Sequence, residues 1–183
     1  TQPGTCGCGI ADKDSDGDGT VDCQDTHDDK DGLPDIEEQG FDGNDIDYDG
    51  NDDGIPDRIQ DNVTSFHTFD YLNYVTMTSP VGTIISNCMA EENPSTSDSP
   101  ENVTFSYGFF KFRVEDVGIG ETIAVTFYLP TGQTLDTYYK YGPTPNNPTN
   151  HWYEFLYDGQ TGAEINGNVI TLYFVDGLRG DDD

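Results

Sequence analysis

The chain has 183 residues with 36 acidic and seven basic side chains, which gives a formal net charge of −29 at pH 7. Such a charge repels phosphate backbones and anionic lipid surfaces, which argues against nucleic-acid and membrane-surface binding. No run approaches the roughly 18 apolar residues of a membrane-spanning helix, so we expect no membrane insertion by this chain. The sequence begins at Thr1 without an initiator Met, so we expect a mature, processed form from which an export signal has been removed.

The chain divides into two parts of unlike composition. Residues 1–61 contain 20 of the 36 acidic residues but only two aromatic residues, Phe41 and Tyr48, whereas residues 62–183 contain the other 20 aromatic residues. Sparse apolar side chains cannot offset roughly 1–2 kcal/mol per residue of backbone ordering, so residues 1–61 either form a disordered acidic tail or have another source of order. We therefore predict an acidic segment over residues 1–61 and a domain with its own core over residues 62–183.

The acidic segment contains a repeat that suggests this source of order. Three glycines, Gly19, Gly32 and Gly54, are each preceded by oxygen-bearing side chains at alternate positions and followed three residues later by Asp. Counted from Asp14, oxygens fall at positions 1, 3, 5, 7, 9 and 12 with glycine at position 6, which is the spacing of a calcium loop. Calcium takes 6–8 oxygens at about 2.3–2.6 Å, and alternating carboxylates supply them. We predict several structural Ca²⁺ ions.

The predicted ligands belong to three units, here called unit 1 (residues 14–25), unit 2 (27–38) and unit 3 (49–60), and to overlapping frames beside them. Unit 2 has His27 at position 1, and unit 3 has Gln60 at position 12. No helical periodicity flanks the units, so we do not expect a helix-pair switch. The ligands are Asp14, Asp16, Asp18, Thr20, Asp22 and Asp25; Asp29, Asp31, Leu33, Asp35 and Glu38; Asp49, Asn51, Asp53, Ile55 and Asp57; and, in the overlapping frames, Asp12, Asp45 and Asp47.

Unit 1 resembles the thrombospondin type 3 repeats, because residues 14–25 match their pattern D-x-D-G-D-G-x-x-D-x-x-D. The resemblance covers residues 12 to about 61 and implies a chain wrapped around a row of calcium ions that replace a hydrophobic core. It departs from the family pattern at His27. It also departs at the 22-residue step from Gly32 to Gly54, which exceeds the 13-residue step from Gly19 to Gly32.

Four cysteines, Cys6, Cys8, Cys23 and Cys88, are an even number in an apparently secreted chain, which favours two disulfides. The Cys6-Gly-Cys8 spacing is not that of a structural zinc site. Two connectivities stay open at this point: Cys8–Cys23 with Cys6–Cys88, or Cys6–Cys23 with Cys8–Cys88. Either one would link the acidic segment covalently to the following domain.

From Phe66 onward the apolar residues alternate with polar ones, which is typical of half-buried strands. We therefore predict an all-β fold, an immunoglobulin-like antiparallel β-sandwich preceded by an irregular calcium-wrapped acidic segment. No helix is predicted. The predicted strand runs lie around Phe69, Tyr71, Val75 and Met77, and over Thr83–Met89, Val103–Phe109, Phe110–Val114, Ile123–Leu129, Leu135–Tyr141, His151–Tyr157 and Val169–Val175.

The C-terminal part is similar to the choice-of-anchor domains of bacterial surface proteins, on the sequence of residues 138–143, 151–155 and 176–183. This resemblance implies export, attachment at the cell surface and no catalytic residues. The residues agree with a non-enzymatic protein, because the three histidines are scattered and neither G-x-S-x-G nor H-E-x-x-H occurs.

We expect a calcium-binding structural protein of the cell surface or extracellular matrix, either a spacer or a self-assembling fibre subunit. Head-to-tail contacts could use the arm Thr1–Thr5 or the acidic end Asp181–Asp183. The alternative is a carbohydrate-binding or adhesion module that uses the aromatic stretch Tyr138–Trp152 to contact glycans. Asn62 and Asn102 stand in glycosylation sequons, which occur about as often as chance predicts.

Overall fold

The computed structural model describes residues 4–132 and 134–181. This part of the chain is all-β with antiparallel sheets and an acidic N-terminal segment, as the sequence predicts. The acidic segment has no strand of its own but contains 3-10 turns at Asp35–Glu38 and Asp57–Ile59. The strands are β1 (Val63–His67), β2 (Tyr74–Thr78), β3 (Ile84–Glu91), β4 (Phe109–Glu115), β5 (Thr122–Tyr128), β6 (Tyr139–Thr144), β7 (Asn147–Glu154), β8 (Gly162–Asn166) and β9 (Val169–Val175).

The strands form one five-stranded antiparallel sheet and two smaller ribbons. The sheet has the order β1-β2-β5-β9-β8, so β1 and β8 are its edge strands. The longest pairing joins β5 and β9 over seven residue pairs, from Thr122 opposite Val175 to Tyr128 opposite Val169. The ribbons are β3–β4 and β6–β7. Because side chains alternate between the faces of a strand, this register places every second residue of β5 and β9 in the core.

The core lies between the five-stranded sheet and the β3–β4 ribbon. Met77 and Phe127 of the sheet and Ile85 of β3 are all at most 1% exposed and belong to one apolar cluster. Phe110 of β4 packs on the ring of Phe127 with the centroids 5.3 Å apart. Each such side chain contributes roughly 1.5–3 kcal/mol when it is fully buried. The structure confirms the predicted antiparallel all-β fold. The finer prediction of an immunoglobulin-like sandwich stays a prediction.

Several strand predictions differ from the structure. Phe69 and Tyr71 lie in the connection between β1 and β2, β6 begins at Tyr139 instead of Leu135, and β7 covers residues 147–154 instead of 151–157. The predicted strand Val103–Phe109 is wrong, because residues 103–108 are irregular with a turn at 106–107, and Phe109 begins β4. Phe105 packs on Phe109 with the ring centroids 4.7 Å apart. The aromatic residues of this stretch pack on one another and take no part in strand pairing before Phe109. The edge strand β8 was not predicted, because it carries few apolar residues and depends on its pairing with β9.

The acidic segment packs on the edge strand β1 and its neighbour β2. The Tyr74 hydroxyl donates to the Glu37 carbonyl over 2.6 Å, and the Gly40 N–H donates to the same hydroxyl over 3.2 Å. Tyr48 contacts the Tyr74 ring edge-on at 5.2 Å. The segment also contacts the edge strand itself, because the Ser65 N–H of β1 donates to Glu38 over 3.1 Å, so it covers part of this sheet edge.

The disulfide prediction needs correction. Cys6 and Cys23 form a disulfide, but Cys8 and Cys88 are free thiols, so one bridge forms instead of two. Cys88 lies in the apolar core on β3, whereas Cys8 is exposed in the N-terminal loop that the Cys6–Cys23 bridge closes. No disulfide in the described residues links the acidic segment to the sheet, and the two parts are joined by hydrogen bonds and packing instead.

The free thiols predict a labelling pattern. With calcium present, one thiol per chain, Cys8, is expected to react with a maleimide, whereas Cys88 reacts only after denaturation because it is 95% buried. Peptide mass spectrometry locates the label, and Cys8→Ser is the control that removes the fast reaction. Fast labelling of two cysteines in the folded protein, or labelling of none until a reductant is added, would contradict this arrangement.

Some predicted contacts lie outside the described residues. These are most of the arm Thr1–Thr5, of which only Gly4 and Thr5 are described, and Asp182 and Asp183 of the acidic end. Within the described ranges, no helix has the length and apolar character needed to cross a membrane.

Candidate metal centre

The three acidic units share one backbone geometry in the structure. In each unit the Asp at position 9 donates its backbone N–H to the carbonyl just before the unit, and its carboxylate accepts the N–H of position 2. The backbone bonds are Asp22 to Lys13 (2.8 Å), Asp35 to Thr26 (2.9 Å) and Asp57 to Tyr48 (2.9 Å). The side-chain bonds come from the N–H groups of Ser15 (2.8 Å), Asp28 (2.7 Å) and Gly50 (3.1 Å).

The glycine at position 6 is required by the backbone in each unit. Gly19, Gly32 and Gly54 have φ values of 102°, 86° and 91°, a region that L side chains rarely adopt. A Cβ at these positions would meet no atom within 4 Å, so the constraint is the dihedral angle and not space. The equal spacing of glycine and Asp in the sequence thus corresponds to three equivalent turns.

Unit 1 is open to solvent, and so is most of unit 3, although its Asp57 is 0% exposed and accepts the Ser65 hydroxyl. Ligand atoms of Asp14, Asp16 and Asp18 lie within 4.8 Å of one another, and these residues are half-buried or exposed. Asp14 accepts the N–H groups of Gly17 and Gly19, which fixes its carboxylate. Water and salt screen such charges, so this group can exist without an ion.

Unit 2 differs because its carboxylates are buried. Asp29, Asp31 and Glu38 are 5%, 0% and 1% exposed, and their ligand atoms lie within 4.8 Å of one another. We call these three residues the buried trio. In each carboxylate, one oxygen accepts a backbone N–H and the other has no hydrogen-bond partner. The oxygens without a partner are Asp29 Oδ2, Asp31 Oδ2 and Glu38 Oε2. The fixing donors are Asp31 N–H to Asp29 (3.0 Å), Leu33 N–H to Asp31 (2.6 Å) and Ser65 N–H to Glu38 (3.1 Å).

The electrostatics of the trio are unfavourable without a cation. Burial, and then the charge of Asp31, raise the pKa of Asp29 to about 10. Burial raises the pKa of Asp31, and burial with the two aspartates raises that of Glu38 well above its ordinary value. Because the folded pKa values exceed the unfolded ones, the metal-free trio disfavours folding increasingly as pH rises above about 4. A buried carboxylate cluster must bind protons or a cation.

The donor set selects a hard cation. Carboxylate oxygens suit Ca²⁺, Mg²⁺ or Mn²⁺ rather than the softer metals that prefer imidazole or thiolate. Oxygens within 4.8 Å of one another can be spanned by one ion with bonds of about 2.3–2.6 Å, the calcium range. The acidic clusters can therefore bind a metal ion, and the buried trio is the better formed of the two groups.

Other predicted ligands serve the backbone instead. Both oxygens of Asp12 accept N–H groups, from Thr5 (2.8 Å) and Cys6 (2.9 Å), and these bonds lower the pKa of Asp12. Asp45 accepts the N–H of Asp47 over 3.2 Å. None of these residues joins the two carboxylate groups described above, so the structure does not bring the overlapping frames together with them.

Three residues of the site were not predicted from the repeat. Asp28, fully buried and ion-paired with Arg58, occupies a position that the ligand spacing skips. Ser65 donates its N–H to Glu38 and its hydroxyl to Asp57. Thr64, beside it on β1, is completely buried. The only sequence signal for Thr64 and Ser65 is a pair of adjacent hydroxyl residues between the apolar residues Val63 and Phe66.

No family model, curated protein or solved structure matches this chain. The resemblances to thrombospondin type 3 repeats and to choice-of-anchor domains therefore stay predictions that depend on the motifs alone. The Cys6–Cys23 disulfide is compatible with an oxidising, extracellular environment.

Proposed function

We propose that this chain is a non-enzymatic, calcium-binding structural protein of the cell surface or extracellular matrix, in which calcium orders the acidic segment on the β domain. The observation that carries the proposal is the buried trio. Three buried carboxylates have ligand atoms within 4.8 Å of one another, and each has one oxygen without a hydrogen-bond partner. This arrangement costs several kcal/mol unless a cation neutralises it.

The burial of the trio also argues for a structural ion. A catalytic metal keeps an open position for water or substrate, whereas side chains that are 0–5% exposed leave no such access. Units 1 and 3 have the same turns and, apart from the buried Asp57, are half-buried or exposed. They would bind further ions with the affinity of roughly 10⁻⁴–10⁻³ M usual for extracellular modules.

The carbohydrate-binding alternative is less well supported. Trp152 contacts Phe105, Phe109 and Tyr141 with centroids 5.1–5.6 Å apart, and its ring N–H donates to the Ser95 carbonyl. These internal contacts occupy the ring that would have to stack on a sugar. The two sequons differ as well, because the Asn62 amide donates to the Ser79 carbonyl over 2.9 Å while Asn102 is exposed.

Self-association into fibres stays a proposal beside the spacer role. Light scattering of the full chain in millimolar calcium and after chelation tests it. Large particles that dissolve on chelation would support a calcium-dependent fibre, and a monomer in both conditions would support the spacer.

Calcium binding itself is tested by equilibrium dialysis of the full chain against increasing free Ca²⁺, with the bound metal counted by mass spectrometry. We expect at least one tightly bound ion per chain and further ions at about 10⁻⁴–10⁻³ M. Magnesium at equal concentration is the control, since it loses its water reluctantly and needs near-octahedral geometry. No bound calcium at about 5 mM would overturn the proposal.

A further inference from the structure

Unit 2 lacks the acidic ligand with which units 1 and 3 begin. Asp14 and Asp49 occupy position 1 in those units, and each accepts the N–H of the glycine at position 6. In unit 2 this position is His27, which is exposed and whose Nδ1 lies 3.0 Å from the Thr26 hydroxyl. The most deeply buried unit is therefore one oxygen short of its neighbours.

An oxygen from the sheet lies beside the incomplete unit. Thr64 of β1 is 0% exposed, and its hydroxyl oxygen has no hydrogen bond. The N–H of Ser65, the next residue of β1, donates to Glu38 over 3.1 Å, so this part of the strand lies against the trio. A buried hydroxyl without a partner destabilises the fold, so its place beside three unpartnered carboxylate oxygens calls for a common partner.

Strand β1 presents two neighbouring residues to the acidic segment in different ways. Side chains alternate along a strand, so Thr64 lies on the same face as the core residue Phe66, and Ser65 lies on the other face. The Ser65 N–H fixes one oxygen of Glu38, and its hydroxyl binds Asp57 of unit 3. The edge of β1 thus fixes one carboxylate of the trio, and Thr64 is the neighbouring residue in the strand.

We infer that Thr64 Oγ1 is a fourth protein ligand of a single calcium ion held by Asp29, Asp31 and Glu38, in place of the acid that unit 2 lacks. This inference rests on the proposed function and adds a ligand from outside the repeat. The ion then joins two parts of the chain, since three ligands come from the acidic segment and one from the edge strand of the sheet. Calcium binding and the docking of the segment on β1 become one equilibrium.

The test compares Thr64→Val, which keeps the shape but removes the oxygen, with Thr64→Ser, which keeps the oxygen. The matched control is Thr122→Val at an exposed position of β5. Calcium titration of the full chain is expected to show at least about tenfold weaker binding of the tightest ion in Thr64→Val. Thr64→Ser and the control should stay within about threefold of wild type, and the weaker sites should not change.

Urea unfolding separates a ligand from a packing residue. Without calcium, Thr64→Val is expected to be at least as stable as wild type, because it removes an unpartnered buried hydroxyl. With calcium it should be less stable. Equal destabilisation in both conditions, or unchanged binding of the tightest ion by Thr64→Val, would overturn the role of Thr64 while leaving calcium binding intact. Absence of tight binding in wild type would instead overturn the proposed function.

Discussion

Chelation of calcium is expected to unfold residues 10–61 into an expanded chain while the five-stranded sheet stays folded but becomes less stable. Residues 1–61 contain 20 acidic and three basic residues, so without calcium the segment repels itself. Each bound ion cancels two charges and ties several side chains together, which makes metal binding part of the folding free energy. Small-angle scattering should report a larger radius after chelation.

Limited proteolysis locates this change along the chain. Trypsin can cut the acidic segment at Lys13, Lys30 and Arg58, and the rest of the chain at four further basic residues. Cleavage within the segment should accelerate strongly on chelation, whereas cleavage at Lys111 and Arg113 of β4 serves as the internal control. Unchanged radius and unchanged cleavage would show that calcium does not order the segment.

The substitution Asp31→Asn is expected to have opposite effects with and without calcium. Asparagine keeps the oxygen that accepts the Leu33 N–H, but it removes one of three buried charges. In chelator the variant should be more stable than wild type by roughly 1–3 kcal/mol, the scale of a buried group without a partner. In calcium it should bind the tightest ion at least about tenfold more weakly, a loss of about 1.4 kcal/mol or more.

Denaturant unfolding of both proteins in both conditions measures this reversal. Asp136→Asn is a control that removes an exposed charge from the β domain and should change neither value by more than about 0.5 kcal/mol. Destabilisation of Asp31→Asn by the same amount in both conditions would mean that the carboxylate serves packing alone. Stabilisation in both conditions would mean that no cation binds there.

Strong local patterns in the sequence were sufficient for part of the fold. The alternation in Val169–Val175 predicts β9 with the bounds that the structure has, and Ile123–Leu129 predicts β5 to within one residue. Both strands pair along their whole length in the sheet, so their burial follows directly from the period of two. The equal spacing of glycine and Asp likewise predicts three equivalent turns in the acidic segment.

Features that depend on distant residues could not be predicted in this way. Unit 2 has the poorest match to the calcium pattern, yet it is the most buried, because Ser65 and Thr64 lie beside it on a strand about 30 residues further along. The partner of Cys6 was equally undetermined, since spacing allowed both Cys23 and Cys88. Burial of Cys88 in the core decides for Cys23.

Anomalous X-ray diffraction from a crystal of the full chain grown in calcium tests the central claim most directly. We predict a calcium peak inside unit 2, with Asp29 Oδ2, Asp31 Oδ2, Glu38 Oε2 and Thr64 Oγ1 at about 2.3–2.6 Å. Peaks confined to units 1 and 3, or no peak while the trio stays buried and folded, would contradict an ion at the joint between the acidic segment and the sheet.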